Sequence, residues 1–191
     1  ESRGVADPAA AAALLADKAM EAGIARFADI GEWLERVRFA AGHGLPSPGD
    51  PAREALRALA LGLRSFADLE TAARDGGLVR EMERQMTPAS RRAIEEIAPA
   101  RLRLAGGREV KVHYEPDAPP WIASRLQDFF GMKQTPMVAR GAVPVVVRLL
   151  APNQRPVQVT TDLAGFWERL YPQVRRELMR RYPKHKWPEK V

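Results

Sequence analysis

At 191 residues, 46% of them hydrophobic and 28% charged, the chain can bury one sizeable core or two small ones and is too apolar to be disordered. It has no cysteine, which excludes disulfides and thiolate metal sites and fits a reducing, cytoplasmic setting. No apolar run reaches the length that spans a bilayer, so no membrane partner is expected. The net charge is +6, and +5 of it falls between Glu168 and Val191, which points to a polyanionic partner.

The first half reads as helices. Asp7-Pro8 places a capping carboxylate before a proline at the first helical position, and an alanine-rich helix is expected to run on through Met20 and Ile24. Asp29 is placed to cap a second helix carrying Ile30, Trp33, Leu34 and Val37, broken by Gly42-His43-Gly44 with Pro46 and Pro48. Asp50-Pro51 opens a third, with Leu56, Leu59 and Leu63 on one side. Ser65 to Asp68 resembles a capping box for a fourth, which stops at Gly76-Gly77. Thr87-Pro88 starts another that ends before Pro99.

After Pro99 the period changes. Leu102 and Leu104 alternate with arginines, Gly106-Gly107 suits a tight turn, and Val110, Val112 and Tyr114 alternate on the return strand. Pro119-Pro120 is expected to open a helix with Trp121, Ile122, Leu126, Phe129 and Phe130, closed by Gly131. Strands are expected over 136–139, 143–150 and 156–159, the second covered on both faces because Val145-Val146-Val147 is an unbroken β-branched run. Thr160-Thr161-Asp162 caps a helix bearing Leu163, Phe166 and Trp167, and Tyr171-Pro172 restarts it. The predicted fold class is therefore α+β: an all-helical half, residues 1–99, then a small mixed β-sheet with helices packed on it and a basic tail, residues 100–191.

Chemistry-bearing motifs are missing from these residues. Neither G-x-x-x-x-G-K-[ST] nor G-x-G-x-x-G occurs, so no phosphate-cradling loop for a nucleotide is present. His43, His113 and His185 lie far apart, and the pairs Glu32/Glu35 and Glu95-Glu96 sit among arginines on predicted helices, where surface ion pairs suffice. No catalytic residue, cofactor or metal is expected here.

The candidate site is the tail. On a helical wheel Val174, Leu178 and Tyr182 share a face, Arg176 and Arg180 lie opposite, and Arg181 flanks them. Pro183 ends the helix, and Lys184-His185-Lys186-Trp187-Pro188 is expected to continue as an extended basic segment. Guanidinium and ammonium groups meet phosphates and rings stack on unpaired bases, so Arg176, Arg180, Arg181, Lys184, His185, Lys186 and Trp187, with Arg155 upstream, are the predicted contacts for RNA or single-stranded DNA. Trp187 is equally readable as a structural anchor. A protein partner is the alternative, suggested by Trp33, Trp121 and Trp187 as aromatics able to reach a surface.

"LLAPNQRPVQVTTDLAGFW", residues 149–167, and "YPKHKWPE", residues 182–189, with the hairpin "RLRLAGGREVKVHYE" and the helix "WLERVRFAAGHGLP", resemble the C-terminal region of bacterial HrpB-type ATP-dependent helicases, relatives of the DEAH-box RNA helicases. The resemblance implies an accessory piece of a longer protein, consistent with a chain that opens on Glu1. ATP and Mg would belong to motor domains upstream, and that helicase core would be a partner. The resemblance brings no catalytic residue onto this chain.

Overall fold

The computed structural model describes residues 7–46 and 49–191, so Pro48 lies outside the described residues. The chain divides into two compact units, Glu1–Ala93 and Ile94–Val191.

The first unit is helical. In α1 (Pro8–Ala22) the Asp7 carboxylate accepts from the Ala9 amide, and Gly23 at φ 93° ends the helix before Ile24, which begins a 3-10 turn. α2 (Gly31–Gly42) buries Trp33, Val37 and Ala40. α3 (Pro51–Leu59) is capped by Asp50, which accepts from the Arg53 amide. The buried side of α3 is Ala52, Ala55 and Leu56; Leu59 is only half-buried and Leu63 lies beyond the helix end. The face is thus built on small residues, which lets α3 meet the alanine face of α1 (Ala12, Ala16, Ala19) closely.

α4 (Phe66–Ala73) starts on Ser65, whose hydroxyl accepts from the Asp68 amide and donates to the Asp68 carboxylate. α4 ends at Ala73, ahead of the expected stop at Gly76-Gly77, with Asp75 at φ 51° in the turn. Gly76 instead caps and Gly77 begins α5 (Gly77–Gln85), a helix the sequence pattern did not separate, with Leu78 and Met82 fully buried. A Cβ at Gly77 would sit 2.0 Å from the Ala72 carbonyl oxygen. Gly77→Ala is therefore expected to push α4 and α5 apart and destabilise this unit by about 1–3 kcal/mol, read as a lowered melting temperature. An unchanged melting temperature would place the α4–α5 junction elsewhere. α6 (Pro88–Ile97) completes the helical series.

The second unit carries the strands. β1 (Arg101–Arg103) and β2 (Glu109–Lys111) form the expected antiparallel hairpin, Leu102 opposite Val110, with Gly107 at φ 83° in the turn. The main sheet has the order β3-β6-β7: β3 (Trp121–Arg125) runs parallel to β6 (Val146–Leu150), and β7 (Pro156–Thr160) runs antiparallel to β6. Between them β4 (Met137–Val138) and β5 (Val143–Pro144) make a short antiparallel pair.

The helix expected after Pro119-Pro120 is not there. Residues 121–125 are strand β3, and only Leu126–Phe129 turns, as a 3-10 segment. Ile122 and Ser124 point inward while Ala123 is half-exposed and Arg125 exposed, a period of two that the aromatic spacing masks. Ser124 is buried yet satisfied, its hydroxyl donating to Asp128 at 2.5 Å. The strand expected over 143–150 is two strands meeting at Val145: the Val145 amide bonds Pro136 and the Val146 amide bonds Pro120. Val145, Val147 and Leu149 are fully buried, but Val146 is half-exposed, so one face of β6 is covered completely and the other only in part.

The helical end runs from α7 (Leu163–Gly165), capped by Asp162, to α8 (Tyr171–Arg181). The turn between them, Phe166–Leu170, is wound as a π-helix, the Tyr171 amide reaching back to the Phe166 carbonyl. Pro172 has no N–H to continue the regular ladder, which accounts for the wide turn. The Gly165 amide and the Arg169 guanidinium hold the Asp162 carboxyl below the usual carboxylate range. The stabilisation from this cap is present above the ordinary aspartate pKa and lost as pH falls through the lowered one. Asp162→Asn is accordingly expected to flatten the acid limb of the stability–pH curve, measured by thermal melts across the acid range; an unaltered limb would remove Asp162 from the acid response.

Candidate nucleic-acid interface

α8 has two faces. Tyr171 and Leu178 are buried and Val174 half-buried, while Arg176, Arg180 and Arg181 are exposed. None of these three arginines has an ion-pair partner among the described residues. Unpaired guanidinium groups at successive helical turns leave their full charge for a ligand, unlike Arg169, which is bound to Asp162 at 2.8 Å.

Arg175 behaves differently from its neighbours. Its Nε donates to the Trp187 carbonyl at 2.8 Å, and its guanidinium lies 3.4 Å from the Glu189 carboxylate. The Tyr171 hydroxyl donates to the Pro188 carbonyl at 2.9 Å, and the Trp187 indole N–H donates to the Tyr182 carbonyl at 3.1 Å. The tail therefore turns back on α8 as a strap instead of continuing as the extended segment expected. Trp187 is 7% exposed in this closed arrangement, a burial that favours the anchoring reading of its ring over the base-stacking one. Burial pushes the Tyr171 phenol above its usual pKa, opposed by the Arg175 charge. Above the ordinary tyrosine pKa the unfolded chain ionises first, so this contact loses its stabilisation as pH rises.

Lys184, His185 and Lys186 are carried on the exposed side of the strap, the His185 ring edge-on to Tyr182 at 6.3 Å. Arg155 sits elsewhere in sequence, exposed on the turn between β6 and β7. The fold brings it to Arg181 across a cleft of about 200 Å³ floored by Ala151, Val174 and Leu178 and walled by Tyr182. Arg176 and Arg180 lie outside that cleft. Sequence reasoning placed Arg155 and Arg181 in the site but missed Val174, Glu177 and Tyr182 as their neighbours, because the approach of the β6–β7 turn to α8 leaves no local signal.

The tryptophans that suggested a protein surface are largely committed. Trp33 is 8% exposed. Trp121 has the His113 ring stacked at 3.8 Å and the Arg148 guanidinium at 3.6 Å from its ring centroid. Two groups this near one centroid take opposite faces, and the indole N–H donates to Glu115 at 2.9 Å. Among the described residues no cluster of three metal-ligating side chains occurs, and no helix is long and apolar enough to cross a membrane.

The family model for the ATP-dependent helicase C-terminal region, HrpB_C, matches residues 58–191, and the chain belongs to that family. It is 44% identical over 91 residues to the ATP-dependent RNA helicase HrpB of Escherichia coli (strain K12), a match covering 48% of this chain and 11% of that protein. It superposes on the crystal structure of the E. coli DExH-box NTPase HrpB with a TM-score of 0.75 at 26% identity, over 92% of this chain and 23% of that one. A second crystal structure, of the Escherichia coli DEAH/RHA helicase HrpB, gives a TM-score of 0.66 at 27% identity, over 90% of this chain and 23% of that one. The chain thus spans about a tenth of the curated relative and under a quarter of the solved chains.

Proposed function

We propose that this chain is the accessory, nucleic-acid-holding part of an ATP-dependent RNA helicase, keeping RNA or single-stranded DNA near motor domains that carry the ATP and Mg chemistry. The observation that supports it best is the set of unpaired arginines on α8, Arg176, Arg180 and Arg181, on a helix braced from behind by the Arg175–Trp187 strap. Bracing matters because a cationic helix held rigid loses less conformational freedom on binding than a loose tail. Lys184, His185 and Lys186 extend the same surface.

Fluorescence anisotropy with a labelled single-stranded RNA at two salt concentrations tests this. The parent is expected to bind with steep salt dependence. A quadruple Arg176/Arg180/Lys184/Lys186→Ala variant is expected to bind weakly, its log–log salt slope reduced by about 0.7 for each phosphate it no longer neutralises. Equal binding by the variant would remove the helix from the interface, and a parent that fails to bind at low salt would remove the reading. The purified chain is also expected to show no ATP hydrolysis, since it carries no phosphate-cradling motif; turnover that copurifies with it through successive columns would refute this.

A second reading, docking on the helicase core or another protein, is favoured by Leu14 and Leu61, each 63% exposed on the helical unit. Salt separates the two, because an apolar contact does not weaken with ionic strength.

A further inference from the structure

The cleft between the β6–β7 turn and α8 has chemistry that the outer face of α8 lacks. Its rim carries two cations, Arg155 and Arg181, and one anion, Glu177; its floor is apolar, with Leu178 and Ala151 buried and Val174 half-buried. Glu177 and Arg181 stand four apart on one helix, the spacing at which opposite charges usually pair, yet they form no ion pair. Arg155, from the other wall, is also without an ion-pair partner among the described residues. The β6–β7 turn is locked locally, the Asn153 side chain accepting from the Arg155 amide at 3.2 Å and Gln154 held at φ 67°. Both walls are therefore preformed.

Three features select the ligand. The two guanidinium groups suit phosphate oxygens. The apolar floor and the Tyr182 ring suit a flat, weakly polar ring. The Glu177 carboxylate accepts only and would repel a bare phosphate, whereas the edge of a base offers it N–H donors. At about 200 Å³ the cleft is below the roughly 300–1,000 Å³ of pockets that enclose whole small molecules, so it holds one ring and not an entire cofactor.

We propose that this cleft captures the base of one unpaired nucleotide of a bound single strand, with Arg155 and Arg181 on the flanking phosphates and Glu177 on the base edge. The inference rests on the single-strand-holding reading above and gives that surface a fixed register. Arg176 and Arg180, by contrast, bind backbone without regard to bases.

The test uses the 191-residue chain, a short labelled oligothymidylate, and a strand of equal length whose bases are replaced by abasic sites. The parent should bind the base-bearing strand roughly tenfold more tightly than the abasic one, the scale of one stacked base. Val174→Met, which extends an apolar chain without a ring over the floor and keeps every charge, should remove most of that preference. Arg155→Gln with Arg181→Gln, both at exposed positions, should weaken both strands and lower the salt slope by about 0.7 per phosphate released. Thermal melts establish that each variant is folded. If the parent binds both strands equally, or if the preference survives in full in Val174→Met, the cleft is not a base site although the holding function stands. If the parent binds neither strand, both readings fall together.

Discussion

Replacing Val147 with aspartate is expected to unfold the second unit, whereas the same change at Val146 is expected to be far milder. Val147 sits mid-strand in β6, paired with Ile122 on the parallel side and Thr160 on the antiparallel side, and is 0% exposed. Ile122 and Leu149 are as deeply buried, and no cation is among these neighbours. A carboxylate at position 147 would be desolvated without a partner, at a cost of several kcal/mol even after its pKa rises to neutralise it. Set against a total stability of roughly 5–15 kcal/mol for a small domain, that is enough to empty the native state at physiological temperature. Val146 is half-exposed on the opposite face of the strand, so an aspartate there keeps some of its water. Circular dichroism melts of the two variants beside the parent make the comparison. A lower melting temperature for Val146→Asp than for Val147→Asp would mean that the register of β6 is wrong by one residue, which would exchange its faces, and equal temperatures would mean that both faces are covered alike.

The pair also shows where sequence pattern stops being informative. A run of three valines looks alike from both sides, so the inward residue is decided by strand partners that are remote in sequence. The same holds for β3. Ile122, Leu126, Phe129 and Phe130 fit a helical stripe as well as they fit a strand followed by a turn, and the choice is made by pairing with β6. Where the determinant is local, the pattern was legible. The caps at Asp7, Asp50, Ser65 and Asp162 each accept from an amide two or three residues on, as their spacing predicts. The β1–β2 hairpin follows from its glycine pair. Family membership was legible for another reason: two long, non-repetitive strings near the C-terminus suffice without any knowledge of contacts. In the candidate site, the charge of α8 could be read from composition. The diversion of Arg175 into the strap and the meeting of Arg155 with Arg181 could not, because each needs the chain to double back.

Trp187→Ala is the substitution that separates anchoring from base contact. The indole is 7% exposed and donates to the Tyr182 carbonyl, while the residue's own carbonyl accepts from Arg175. Removing the ring discards its buried area, leaves a cavity beside the helix and loosens the backbone that receives Arg175 and, one residue later, Tyr171. A buried tryptophan cut to alanine costs about 3–5 kcal/mol. The opening of the strap itself caps the loss, since a chain end that has come free has nothing further to lose there. The expected result is the lower end of that range, seen as a drop in Tm of roughly 10 °C for a unit of this size. Trp187→Phe keeps most of the packing and forfeits only the indole N–H, a loss of about 1 kcal/mol. If the ring is an anchor, both variants lose melting temperature but little affinity per folded molecule, because Arg176, Arg180 and Arg181 stay on α8 when the strap opens and only the bracing and the placement of Lys184 and Lys186 are given up. If instead the ring meets a base, Trp187→Ala will lose affinity while its melting curve stays with the parent's, and Trp187→Phe will recover most of that affinity. Titration and melting of the same two samples therefore assign the residue, since the two roles move opposite observables.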